Sequence, residues 1–273
     1  MKVYCLYQDF FTFLDKLSSP PDKWNIYSRY YYQPHGEFLK SYFSHFPLIN
    51  ISNLKQRVEA IKASDYSQLK SLISFCPPEN IVHEAYEKCL KIVSPREEPD
   101  VYLFVGFFSP DGFVMDFQGK PVICFGLERF QDFTLFRVLF SHEYAHFLLN
   151  LSGGKIPEEK RLKWLFISEG AGTYFSLLAF PEHRLYDHFL FKRDNLNWCQ
   201  ANESYLREIY LSGKFSSREL LDFYAKGNPE LNIPPRAGKY LGFQAVKRYL
   251  SQKGEESIGF LLSGKKTALS LEL

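Results

Sequence analysis

Apolar positions recur at helical spacing along most of this chain and at strand spacing in one short window. Residues 9–17 are amphipathic. A longer run over 21–46 carries Trp24, Tyr27, Tyr30, Tyr31, Phe38 and Phe43 and is interrupted at Pro34 and Gly36. Residues 54–63, 66–75 and 78–93 continue the helical pattern, with Pro78 suited to a first turn. Residues 1–93 therefore read as an N-terminal helical region. The segment 94–100, rich in Pro and charge, is the best linker in the chain. Strand-type runs follow at 101–105, 113–117 and 121–125, the last two joined by the hairpin-like Gln118-Gly119-Lys120. Helical spacing then resumes over 129–150, which holds neither Pro nor Gly, and over 164–175, ended by Pro181. It returns at 185–191, 203–211, 217–224 and 238–250, with a loop at 228–235. The pattern predicts an α+β fold, mostly helical, with a small sheet before the 129–150 helix. The division is 1–93 and 101–273, or one continuous domain.

The 129–150 helix carries the chemistry. His142-Glu143-Tyr144-Ala145-His146 reads His-Glu-x-x-His. On a helix the two histidines stand about 40° apart around the axis and about 6 Å apart along it, so both imidazoles can share one metal ion. Glu143 is turned about 100° from His142, which sets its carboxylate beside that ion as a general base. Thr134, Arg137, Ser141 and Tyr144 form one polar or amphipathic stripe. Leu135, Val138, Leu139, His142, Ala145, His146 and Leu149 form the opposite, apolar one. The histidines thus interrupt the face expected to be buried, where an imidazole needs a partner. The plain alternative is a pair of core histidines bonded to backbone carbonyls.

A catalytic zinc has three protein ligands and an open position. The best third ligand is Glu169, on the stripe Leu165, Phe166, Glu169, Gly172, Thr173, Ser176. Helical Gly costs about 1 kcal/mol against Ala, so Gly170 and Gly172 together suggest that another backbone comes close. The alternative is a solvated Glu near a helix start capped by Ser168. Glu158, Glu159, His183 and Asp187 are less well placed, and His35, His45 and His83 read as structural.

His142-Glu143-x-x-His146 followed by Glu169-Gly170-Ala171-Gly172-Thr173-Tyr174 resembles the gluzincin metalloproteases, and the flanks resemble a group of bacterial predicted zinc-dependent proteases. The likeness covers roughly residues 102–250, including Gly238-Lys239-Tyr240-Leu241-Gly242-Phe243. It implies a zincin-like core, Zn²⁺ on His142, His146 and Glu169, Glu143 as base, and a peptide or protein substrate. It also implies an edge strand for extended substrate, with 121–125 the candidate beside an ordinary core hairpin. As donor to the oxyanion it points to Tyr240 and then Arg236, against a core Tyr and a surface Arg. Thermolysin-like enzymes carry an Asp four residues after the ligand Glu. Here Thr173 stands there, so support for a zinc histidine must come from elsewhere. The metzincin pattern is excluded, because Leu149 and Ser152 occupy its Gly and third His positions.

Composition narrows the rest. The chain has 273 residues, 45% hydrophobic and 23% charged, enough for a large core. A net charge of +2 gives no reason to expect nucleic acid or an anionic membrane surface as partner. The aromatic share of 18% suits a bulky core. No stretch is apolar enough to span a membrane, Asp9 and Asp15 interrupt any signal-like start, and five Cys form no C-x-x-C pair. These features suit a cytoplasmic protein with reduced thiols. Phosphate-loop, dinucleotide and nucleophile-elbow motifs are missing. The expectation is a zinc metallopeptidase. A zinc-binding module without catalysis and a metal-free helical interaction protein are the other two readings.

Overall fold

The computed structural model of the chain describes residues 1–17, 22–46, 51–107 and 110–273. Pro21, the expected start of the long N-terminal run, lies outside them. Contacts sort the chain into two compact units, Met1–Glu84 with Glu97–Arg137 and Ala85–Arg96 with Val138–Leu273. The strands therefore group with the N-terminal helices, unlike the linear division at 94–100.

The reason is a strand inside the stretch read as wholly helical. β1 (Lys2–Cys5) pairs in parallel with β2 (Asp100–Phe104), stitching the N-terminus to the sheet. β3 (Gly112–Phe117) and β4 (Lys120–Gly126) form the expected hairpin, and β4 also runs parallel to β2. Gln118 and Gly119, with φ of 52° and 80°, close the hairpin as a two-residue turn that matches strand twist. The order is β1-β2-β4-β3. The segment 121–125 is thus not an edge: β4 has a hydrogen-bonded neighbour on each side. β1 and β3 are the edges of this sheet. The fold is α+β, mostly helical, with one small mixed sheet.

Among the described residues, six helices lie in the first third: α1 (Tyr7–Asp15), α2 (Lys23–Tyr27), α3 (Gly36–His45), α4 (Ile51–Ala60), α5 (Ser67–Phe75) and α6 (Pro78–Leu90). Between α2 and α3 a π-helical turn, Ser28–Tyr32, carries Tyr31 into the core. The aromatic residues concentrate where α3 meets the sheet. Phe38 stacks on Tyr102 at 4.2 Å, and Tyr42 meets Phe104 edge-on at 4.9 Å.

The exit from β2 shows how this core tolerates backbone polar groups. The fully buried Tyr31 hydroxyl donates to the Val105 carbonyl and accepts from the Val105 amide, both at 3.0 Å. Tyr42 donates to the Gly106 carbonyl at 3.2 Å, and the Gly106 amide donates to Glu128 at 3.0 Å. Side chains here do what a ladder partner would do further back in the strand.

The second unit is helical: α7 (Phe136–Leu151), α8 (Arg161–Ala179), α9 (Leu185–Phe189), α10 (Arg193–Ala201), α11 (Glu203–Leu211), α12 (Ser217–Lys226), α13 (Ala237–Lys253), α14 (Ile258–Leu262) and α15 (Lys265–Ser270). α10, α14 and α15 were not expected. α7 starts later than position 129, after a 3₁₀ turn at Leu127–Arg129 and a bend in which Asp132 accepts from the Thr134 amide at 2.8 Å. Of its expected polar stripe, Thr134 is exposed and Arg137 half-buried, but the other two are not wet. Ser141 and Tyr144 are fully buried, because Ser141 donates to the Val138 carbonyl and Tyr144 to that of Val93, at 2.8 and 2.9 Å. No helix among the described residues is long and apolar enough to cross a membrane.

His188 on α9 is fully buried, with Nδ1 3.0 Å from the Ser176 hydroxyl. Burial first, and His183 nearby second, push its pKa down to about 4.

Two outcomes follow from these contacts. Tyr31→Phe leaves both buried backbone groups of Val105 unpaired and should cost about 2–4 kcal/mol in chemical denaturation. His188 binds a proton less readily folded than unfolded. Its neutral burial therefore counts fully above about pH 6.5, and stability falls as pH drops from there toward about 4. His188→Gln should lose up to about 3 kcal/mol less than wild type over that window, measured by denaturation at each pH.

Candidate metal centre

α7 and α8 bring three ligand-type side chains to one point. The Nε2 atoms of His142 and His146 lie 3.1 Å apart, with the rings edge to face at 80°. From α8, Glu169 sets Oε2 3.4 Å from His142 Nε2 and Oε1 3.4 Å from His146 Nε2. Among the described residues this is the one group of three such side chains close enough to hold a cation. Glu169 lies well inside α8, which begins at Arg161, so it is not a helix-start carboxylate. Ser168 caps nothing; its hydroxyl donates back to the Leu165 carbonyl at 3.0 Å.

The donor set fits a small dication. Ligand bonds of about 2.0–2.1 Å in tetrahedral zinc put ligand atoms about 3.3 Å apart. The observed edges of 3.1, 3.4 and 3.4 Å match that triangle. His142 and Glu143 are buried, while a third of the Glu169 side chain remains exposed, so the group is open on one side.

The fit depends on glycine at two places. A Cβ at Gly172 would stand 2.7 Å from the His142 ring, so its absence makes room for the imidazole. At Gly242 of α13 a Cβ would fall 1.6 Å from the Phe166 carbonyl oxygen, and at Gly170 one would fall 2.0 Å from the Gly242 carbonyl carbon. The expected close backbone is therefore α13 against α8 at Gly170, while Gly172 serves a side chain instead.

That crossing delivers a residue the sequence reading passed over. Lys239 lies one turn before Gly242, is 7% exposed, and sets Nζ 3.5 Å from Glu169 Oε2. Its signal was a lysine one turn from a packing glycine, in the very segment searched for an oxyanion donor. Tyr240 is about 160° around the axis from Gly238. Its hydroxyl donates to Glu203 at 3.1 Å and accepts from Gln244. Arg236 is exposed and left-handed, with φ of 65°, just before the first residue of α13. Neither joins the cluster. Thr173 donates back to the Glu169 carbonyl at 2.8 Å, and His142 Nδ1 has no hydrogen-bond partner. Glu158 and Glu159 sit exposed in a 3₁₀ turn, and Asp187 accepts from the Arg184 amide at 3.0 Å.

Burial sets the electrostatics. It pushes His142 down to about 3, helped by Lys239, and Glu143 up to about 7. Burial would also raise Glu169, yet the Lys239 ammonium and both imidazoles hold it well below the usual carboxylate range. His146 is raised: burial opposes its charge, but the Glu169 carboxylate outweighs that. Burial lowers Lys239 against the pull of Glu169. His142 is therefore neutral and Glu169 ionised, both ready as ligands, whereas His146 is held toward its protonated form by Glu169 and gives up that proton when it takes an ion.

Glu169→Ala should abolish stoichiometric zinc after dialysis, read by elemental analysis; unchanged zinc would put the third ligand elsewhere. Gly172→Ala should weaken zinc at least tenfold while far-UV circular dichroism stays the same, because the added methyl displaces the His142 ring.

Comparison with protein-family models, curated proteins and solved structures finds no match to this chain.

Proposed function

We propose that the chain is a zinc-dependent peptide hydrolase with a zincin-like core. One observation carries the reading. Two imidazoles and a carboxylate from neighbouring helices converge at zinc-ligand spacing, with the buried Glu143 one residue from the first ligand. The choice of a peptide as substrate rests on the gluzincin resemblance of the two motifs.

His142, His146 and Glu169 would hold the ion. Zinc supplies Lewis acidity there, polarising a carbonyl and making water a stronger acid. The chain's own groups do the rest. Glu143 accepts a proton from the attacking water as the new C–O bond forms and the carbonyl π pair moves onto oxygen. When that pair returns and the C–N bond breaks, Glu143 gives the proton to the leaving amine. Its position on the helix, fixed by the histidines on either side, keeps the carboxylate beside the reacting carbon through both transfers. The Lys239 ammonium and the imidazoles keep Glu169 ionised, so it stays a ligand and does not compete for the proton.

Glu143→Gln should keep one zinc per chain and lose at least about 100-fold in turnover, measured against a proteome-derived peptide library. Full activity in that variant would remove Glu143 as base. Zinc binding with no cleavage by the wild-type protein would assign the site to metal holding alone.

A further inference from the structure

The cluster has one buried cation that metal binding does not call for. Lys239 sits with its ammonium 3.5 Å from Glu169 Oε2, and its side chain is 6% exposed. A dication on the three ligands is repelled by an ammonium this close, which offsets what the site gains from Lys239 holding Glu169 ionised. At most two negative charges, on Glu143 and Glu169, stand against a dication, so Lys239 leaves the buried group at least one charge positive. A buried surplus of that sign suits an anion. An ammonium has three donors, and the ion pair with Glu169 at 3.5 Å occupies at most one of them. The side chain reaches this place because α13 approaches α8 at Gly242, one turn beyond Lys239.

We propose that Lys239 is a catalytic residue that donates to the oxyanion of the tetrahedral adduct, the role first sought in Tyr240 and Arg236. This rests on the hydrolase reading. When water adds, the carbonyl π pair becomes a full negative charge on oxygen, and the ammonium faces it without transferring a proton. The interaction is absent from the neutral ground-state amide, so it lowers the barrier more than it tightens substrate binding.

The test compares full-length, zinc-loaded wild type with Lys239→Met and Lys239→Arg. Lys239→Met should keep one zinc per chain by elemental analysis and lose about 100-fold or more in kcat, with KM within a few-fold. Its affinity for a phosphinic peptide, a stable tetrahedral anion, should fall by a similar factor in calorimetry. Affinity for a neutral peptide amide of the same sequence should stay unchanged. Lys239→Arg, which keeps the charge, should recover part of both losses. Loss of zinc in parallel with activity, or unaltered phosphinic-peptide affinity in Lys239→Met, would reduce Lys239 to a structural partner of Glu169 and overturn the proposal. The same holds if the wild-type protein does not bind the phosphinic peptide. If that binding is Lys239-dependent but no peptide is cleaved, the anion site stands and the hydrolase reading falls. If Glu143→Gln abolishes turnover while Lys239→Met is fully active, the hydrolase stands and the proposal falls.

Discussion

A carboxylate, an ammonium and two imidazoles packed into a helical core are costly unless each answers another. Glu169 is the member on which the others depend. It faces both imidazoles and the ammonium at 3.4–3.5 Å, and it is the one member of the His-His-Glu group that α8 contributes. Its position follows from backbone contact. Gly170 lets α8 meet α13, and Gly172 lets the His142 ring lie against α8 on the next part of the same helix. A Cβ at Gly170 would fall 2.0 Å from the Gly242 backbone and one at Gly172 2.7 Å from the His142 ring, so larger residues there would push these groups apart.

The same economy governs the sheet-bearing unit. Its core is aromatic, and aromatic rings fill space without supplying many polar groups. Tyrosine is the exception. At the end of β2 the hydroxyls of Tyr31 and Tyr42 bond to backbone that has left the sheet ladder. In α7 the buried Ser141 and Tyr144 bond to backbone carbonyls too. Ser141 and Tyr144 are therefore buried on a face that periodicity alone would assign to water.

This explains where the sequence was legible. The β3–β4 hairpin was readable because its alternation and turn are local. The His-Glu-x-x-His pair was readable because four residues is one helical turn, whatever surrounds it. Glu169 was readable from its register with Gly172 and Thr173 on one stripe. β1 was not: four residues are too short to show alternation, and only its pairing with β2, some hundred residues away, makes it a strand. The order that puts β4 inside the sheet was equally out of reach, since hairpins look alike at an edge or beside another strand.

By itself, the sequence determined the mostly helical class, the small sheet, and the two imidazoles and carboxylate that can meet a metal, because each depends on spacing within one element. Only the tertiary structure decided that Lys239, and not Tyr240 or Arg236, joins them. That choice turns on which side of α13 faces α8, and it is set by the glycine contact between two helices about seventy residues apart.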